Sequence, residues 1–135
     1  MQKQLAMVAE FHQAFGLATA SSPEGKIDPR TWLLRYKLMR EENEEYLDAA
    51  EAGDLEQVAD ALGDMLYILC GTILSHGLQS LIEEVFAEIQ RSNLSKLGED
   101  GKPLYREDGK VLKGPQYRAP RIGPIIARAQ KEGEG

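Results

Sequence analysis

The stretch Arg40-Glu41-Glu42-Asn43-Glu44-Glu45, answered further along by Asp60-Ala61-Leu62-Gly63-Asp64, decides how this chain folds. Asp60 and Asp64 are the only charged residues between Val58 and Leu74, in a run that is otherwise nearly all apolar. Spaced four apart, they share one helical face a single turn from each other. Two carboxylates on a buried face repel and lose hydration, so the pair predicts protonation, a cationic partner or a bound metal. The glutamate run supplies the other half. At roughly 100° per residue, Leu34, Leu38, Ala49 and Ala52 form an apolar stripe with Glu45 near its centre and Glu41 and Glu42 at its flanks. Glu44 and Asp48 fall instead with Lys37 and Glu51 on a polar face. Two antiparallel helices joined at Gly53-Asp54 bring the inward glutamates to Asp60 and Asp64. A solvated acidic helix accounts for the glutamates alone but not for the aspartates. Clustered oxygen ligands without His or Cys suit Mg²⁺ or Mn²⁺ and not Zn²⁺.

Outward from this centre, the periodicity predicts an all-α protein. Leu5, Val8, Phe11, His12 and Phe15 place a first helix from Met1 to roughly Ala20, and Ser21-Ser22-Pro23-Glu24-Gly25 breaks it. Asp28-Pro29 starts the second helix, as N-cap and first helical residue, and it runs to about Ala52. That helix carries a second apolar face, Trp32, Tyr36, Met39, Tyr46 and Ala50, whose simplest reading is core. Gly53-Asp54 ends it and caps a third helix to about Ser75. A fourth runs from about Leu78 to Ser92, with Leu81, Ile82, Val85, Phe86 and Ile89 on its buried face. From Leu97 the composition turns to Gly, Pro, Lys and Asp. Asp108-Gly109 between Leu104-Tyr105-Arg106 and Lys110-Val111-Leu112 predicts a small β-hairpin. A short helical turn is expected at Ile125 to Ala129. The expected organisation is therefore a bundle of about four helices, residues 1–97, with an extended basic tail, residues 98–135.

Charge follows the same division. The net charge is −6, which argues against broad nucleic-acid binding. Residues 1–97 carry 16 acidic and 8 basic side chains, and residues 98–135 carry 6 and 8. Acid for a metal lies in the body, and base for an anion lies in the tail, where Lys110 and Lys113 are candidates to fold over an anionic substrate. Cys70 is the only cysteine, so no disulfide can form within the chain, and its apolar setting predicts a buried small hydrophobe. No signal-peptide pattern and no uncharged apolar run of about 18 residues is present, which predicts a cytoplasmic protein without a membrane segment. Phosphate-binding glycine loops and Ser-His-Asp or Cys-His sets are also missing from the sequence.

Glu-Glu-x-x-Glu on one helix, Asp60-Ala-Leu-Gly-Asp-Met-Leu-Tyr67 on the next, and then Arg91-Ser-Asn-Leu-Ser-Lys96 together resemble the MazG-like all-α nucleoside triphosphate pyrophosphohydrolases. That superfamily includes dimeric dUTPases and phosphoribosyl-ATP pyrophosphatases. The resemblance extends from about Phe11-His12 to the tail Asp108–Pro115. It implies a Mg²⁺-dependent enzyme that cleaves a nucleoside triphosphate at the α–β bond, giving monophosphate and pyrophosphate. Glu41, Glu42, Glu45, Asp60 and Asp64 are the expected metal ligands, and Glu42 or Glu45 the expected base for the attacking water. Asn93 and Lys96 match the segment expected to contact sugar or phosphate. One departure stands out: where the family commonly has Glu-x-x-Asp, the position of the Glu is Ala61, and Asp60 is the nearest carboxylate. Two further readings are a phosphoribosyl-ATP pyrophosphatase and a non-catalytic helical adaptor binding through Trp32 and Tyr36. Two-sided apolar helices predict a homodimer, or a tetramer.

Overall fold

The computed structural model describes residues 1–134. Its described residues form five helices: α1 (Gln2–Phe15), α2 (Pro29–Ala52), α3 (Leu55–Ser75), α4 (Ile82–Leu94) and α5 (Gly123–Glu134). They fall into two compact units, Met1–Ser80 with α1 to α3, and a second from Leu81 onward with α4 and α5.

In the first unit α3 is central, with α2 and α1 packed on it. Local chemistry sets the ends of these helices. The Asp28 carboxylate accepts the Arg30 N–H and Pro29 fills the first turn of α2, where its missing N–H costs nothing. Gly53 stops α2 in the left-handed conformation, φ 65°, which a residue with a Cβ adopts only at a cost. Asp54 then caps α3 by accepting the Gln57 N–H at 3.2 Å. The core holds Leu5 and Val8 of α1, Ala49 of α2, and Ala61, Cys70, Ile73 and Leu74 of α3. Cys70 is buried as expected, and burial raises its thiol pKa. By length and composition α3 is apolar enough to cross a membrane, with a mean hydropathy of 1.4, although it carries Asp60 and Asp64 and packs with α1 and α2.

The first helix is shorter than expected, because the chain turns at Gly16 and Leu17–Ala20 run back along the end of α3. There Ala20 N–H donates to the Leu74 carbonyl, and the Ser75 hydroxyl donates to that of Ala18. His76 Nδ1 lies 2.8 Å from the Glu24 carbonyl, whose own residue donates N–H to the His76 carbonyl. The aromatic face of α2 does not enter the core of the chain: Trp32 is 48% exposed and Tyr36 58%.

In the second unit α4 starts at Ile82, later than the periodicity suggests, and continues to Leu94. The tail differs in two respects. The expected turn at Ile125–Ala129 is a full helix, α5, tied to α4 by an ion pair between Arg128 and Glu84. The expected β-hairpin is not a sheet: among the described residues the segment makes one antiparallel bridge, Tyr105 with Val111. The Asp108 side chain satisfies the turn by accepting the Lys110 N–H and pairing with Arg106. Leu104, Tyr105, Val111 and Leu112 all stay exposed, so no apolar face exists to extend two three-residue arms into strands.

Candidate active site

The α2–α3 pair builds the site. Glu42 and Glu45 are three apart on α2 and face Asp64 of α3, and their carboxylate oxygens lie within 4.8 Å of one another. One Glu42 oxygen, Oε2, is buried and accepts no hydrogen bond. An orphaned buried carboxylate oxygen is costly, and a proton or a cation relieves that cost. The electrostatics agree. Desolvation, a hydrogen bond shared with Glu45 and the charges of Glu45, Asp64 and Asp60 push the Glu42 carboxyl from 4.5 up to about 7. Asp64 is also raised, first by desolvation and then by Asp60 and Glu45. Carboxylates that resist ionisation because they crowd one another suit a hard divalent cation, so the donor set fits Mg²⁺ or Mn²⁺.

Beside the cluster lies a cleft of about 510 Å³, bordered by Glu45, Asp48, Asp54, Asp60 and Ala61. Its acidity would repel a bare triphosphate, and a cation converts it into a receptive surface.

Of the expected ligands, the structure brings Glu42, Glu45 and Asp64 together and places Asp60 near enough to act on Glu42 and Asp64 through its charge. Glu41 is exposed and stands outside the group. Ala61, at the departure from the family motif, is buried in the core. Asn93, Lys96, Lys110 and Lys113 belong to the second unit. There Asn93 and Lys110 are exposed, and Lys113 Nζ sits 4.8 Å from the Tyr117 ring centroid.

The same fold matches known proteins. A family model described as phosphoribosyl-ATP pyrophosphohydrolase matches residues 8–93, well over half of the chain. This chain belongs to the phosphoribosyl-ATP pyrophosphohydrolase family. That family lies within the MazG-like all-α pyrophosphohydrolases, so the resemblance carried by the carboxylate motifs holds. Among solved structures, the chain is similar to a candidate NTP pyrophosphohydrolase from Exiguobacterium sp. 255-15. The TM-score is 0.53 and the identity 25%, covering 93% of this chain and 95% of the other. A further relative is the uncharacterized protein L479 of Acanthamoeba polyphaga mimivirus, 37% identical over 67 residues. The match takes in 47% of this chain and 27% of that protein, so it spans about a quarter of the viral relative's length.

Two features of this pyrophosphohydrolase-family chain escape a reading of its sequence. Ser92 and Ser95, within the Arg91–Lys96 segment, hold the tail: the Ser92 hydroxyl donates to the Arg118 carbonyl at 2.8 Å, and Ser95 Oγ accepts the Arg118 N–H at 2.9 Å. Arg35, in the middle of the α2 stripe, is buried against His12. Its position seven residues before Glu42, on the same helical face, was the available signal.

Proposed function

We propose that the chain is a divalent-cation-dependent nucleoside triphosphate pyrophosphohydrolase, hydrolysing a (d)NTP between the α and β phosphates to the monophosphate and pyrophosphate. The observation that carries this reading is the Glu42, Glu45 and Asp64 cluster with its orphaned Glu42 oxygen, in a chain of this family. Those three residues, with Asp60 beside them, would hold Mg²⁺ or Mn²⁺. When bound, the cation neutralises phosphate charge and lowers the pKa of water. The chain's own contribution to the chemistry is proton transfer and orientation. Glu42, whose carboxyl is pushed up to about 7, and its neighbour Glu45 are the two candidates for the base. The base, as a carboxylate, accepts a proton from the attacking water as the phosphoanhydride opens. Glu45, on the edge of the acidic cleft, is the better placed of the two to reach that water. Asn93, Lys96, Lys110 and Lys113 are the proposed contacts to sugar and phosphate.

The family description favours phosphoribosyl-ATP as a second candidate substrate. The working unit is proposed to be a homodimer, since Trp32, Tyr36, Leu62, Leu66 and Leu69 of the first unit leave a large apolar area open on one chain.

A panel of nucleoside triphosphates and phosphoribosyl-ATP, assayed with Mg²⁺ and with products identified, tests the assignment. Monophosphate and pyrophosphate are the expected products. Nucleoside diphosphate with inorganic phosphate, or no turnover on any member, would contradict it.

A further inference from the structure

The first unit contains a second unusual group. Arg35 is only 8% exposed, yet among the described residues no carboxylate pairs with its guanidinium. Its Nη1 donates to His12 Nε2 at 3.1 Å, and its Nε is buried without a partner. His12 does not neutralise it. The His12 Nδ1 lies 3.2 Å from the Ala18 carbonyl, an acceptor, so the proton sits on Nδ1 and Nε2 presents its lone pair to the arginine. The ring is neutral, and burial with the neighbouring Arg35 charge lowers its pKa.

The backbone is shaped around this pair. A Cβ on Gly71 would sit 2.5 Å from Arg35 Nη1 and 2.7 Å from His12 Nε2. A cavity of about 370 Å³ opens beside the pair, bordered by His12, Arg30, Thr31, Leu34, Arg35 and Ser75 among others, with no carboxylate in its lining. Arg30 and Thr31 lie in the first turn of α2, whose dipole favours an anion, while their own backbone N–H groups already donate to the Asp28 carboxylate and carbonyl. Asp28 also holds the Arg30 guanidinium, at 3.0 Å, on the protein surface, where the Arg30 side chain is 92% exposed. A buried cation without a counter-charge, beside a cavity whose lining has only positive and neutral groups, calls for an anion.

We propose that this cavity is an oxyanion site that takes the phosphate or carboxylate group of a small molecule. Arg35 is its buried counter-charge, and Arg30 and Thr31 stand at its rim. Arg35 and Glu42 are two turns apart, about 10 Å along α2, so the site is distinct from the carboxylate cluster.

The test uses the full chain with a chelator, so that no cation bridges an anion to the carboxylates. Phosphate, acetate and chloride are titrated at matched ionic strength while the His12 ring resonances and the Tm are followed. A saturable His12 shift and a rise in Tm with phosphate or acetate, absent with chloride, are expected, and the active anion identifies the group recognised. Arg35→Met should weaken that binding by about tenfold or more, and Thr31→Val, which leaves the buried pair in place, by about threefold. Equal shifts with chloride, no shift in the wild type, or wild-type affinity in folded Arg35→Met would overturn the proposal. If Arg35→Met does not fold, Thr31→Val with unchanged affinity overturns it. Neither cation nor triphosphate is present in this experiment, so its failure leaves the pyrophosphohydrolase reading untouched.

Discussion

Glu42 concentrates the chemistry of this chain in one carboxyl group. Its unpaired oxygen and the three neighbouring acids make the metal-free protein hold a proton there until about pH 7. A carboxyl whose folded pKa is raised contributes stability that is complete below its ordinary 4.5 and is lost as the pH climbs through about 7. His12, whose pKa is lowered, has the opposite sign: its contribution is complete above 6.5 and is lost as the pH falls. Subtracting the Tm-versus-pH curve of Glu42→Gln from that of the wild type isolates the contribution of Glu42. The difference should favour the wild type most at acid pH, and Mg²⁺ should flatten it by taking the place of the proton. A difference that grows with pH would refute the assignment. Asp64→Asn should keep its helical circular dichroism and lose turnover by about a hundredfold or more, as expected when a divalent-cation ligand and its charge are removed. Gly71→Ala tests the opposite end of the same helix face. The added methyl gains roughly 1 kcal/mol of helix propensity but displaces the buried Arg35–His12 hydrogen bond, for a net loss of about 1–2 kcal/mol in chemical denaturation. Unchanged stability would mean that the pair yields freely.

At the scale of elements, the tail depends on the end of α4 and not on its own pairing. The Ser92 hydroxyl and Ser95 Oγ hold the Arg118 backbone, and Gly114 N–H donates to the Lys96 carbonyl at 2.8 Å. Ser92→Ala should therefore cost about 1 kcal/mol and speed amide exchange around Arg118 while leaving α1 to α3 unaffected. Protection unchanged at Arg118 would assign the anchoring elsewhere. Much of the architecture was legible because it is written in local chemistry. Asp28-Pro29 and Gly53-Asp54 announce helix ends through hydrogen bonds made within a few residues, and the Asp60/Asp64 pair stands out against an apolar background. What escaped depends on distant partners. Asp108-Gly109 carries a turn signal, but strands need a face to bury, and no residue in Leu104–Leu112 finds one. Arg35 shares the helical face of Glu42, but its burial depends on His12 and Gly71, which only the fold sets against it. The serines of the Arg91–Lys96 segment gain their role only when residues more than twenty positions later return to them.

For the whole molecule, the single chain leaves unfinished surfaces. Trp32 and Tyr36 on α2 and Leu62, Leu66 and Leu69 on α3 are all exposed, and such apolar area on a chain of this size favours a second copy. Light scattering at micromolar concentration should give a dimer mass, and Trp32→Glu should dissociate or unfold it, because burying an unpaired charge is costly. A fully active monomer would contradict the proposed assembly, and a tetramer would extend it. Above all, the crowded α2–α3 carboxylates are proposed to be a divalent-cation site for phosphoanhydride hydrolysis. Its most direct test is pyrophosphate release from nucleoside triphosphates across a Mg²⁺ titration, comparing the wild type with Glu42→Gln. Saturable Mg²⁺-dependent release by the wild type and a loss of about a hundredfold or more in folded Glu42→Gln are expected. Release that is independent of Mg²⁺, or equal in the two proteins, would contradict it.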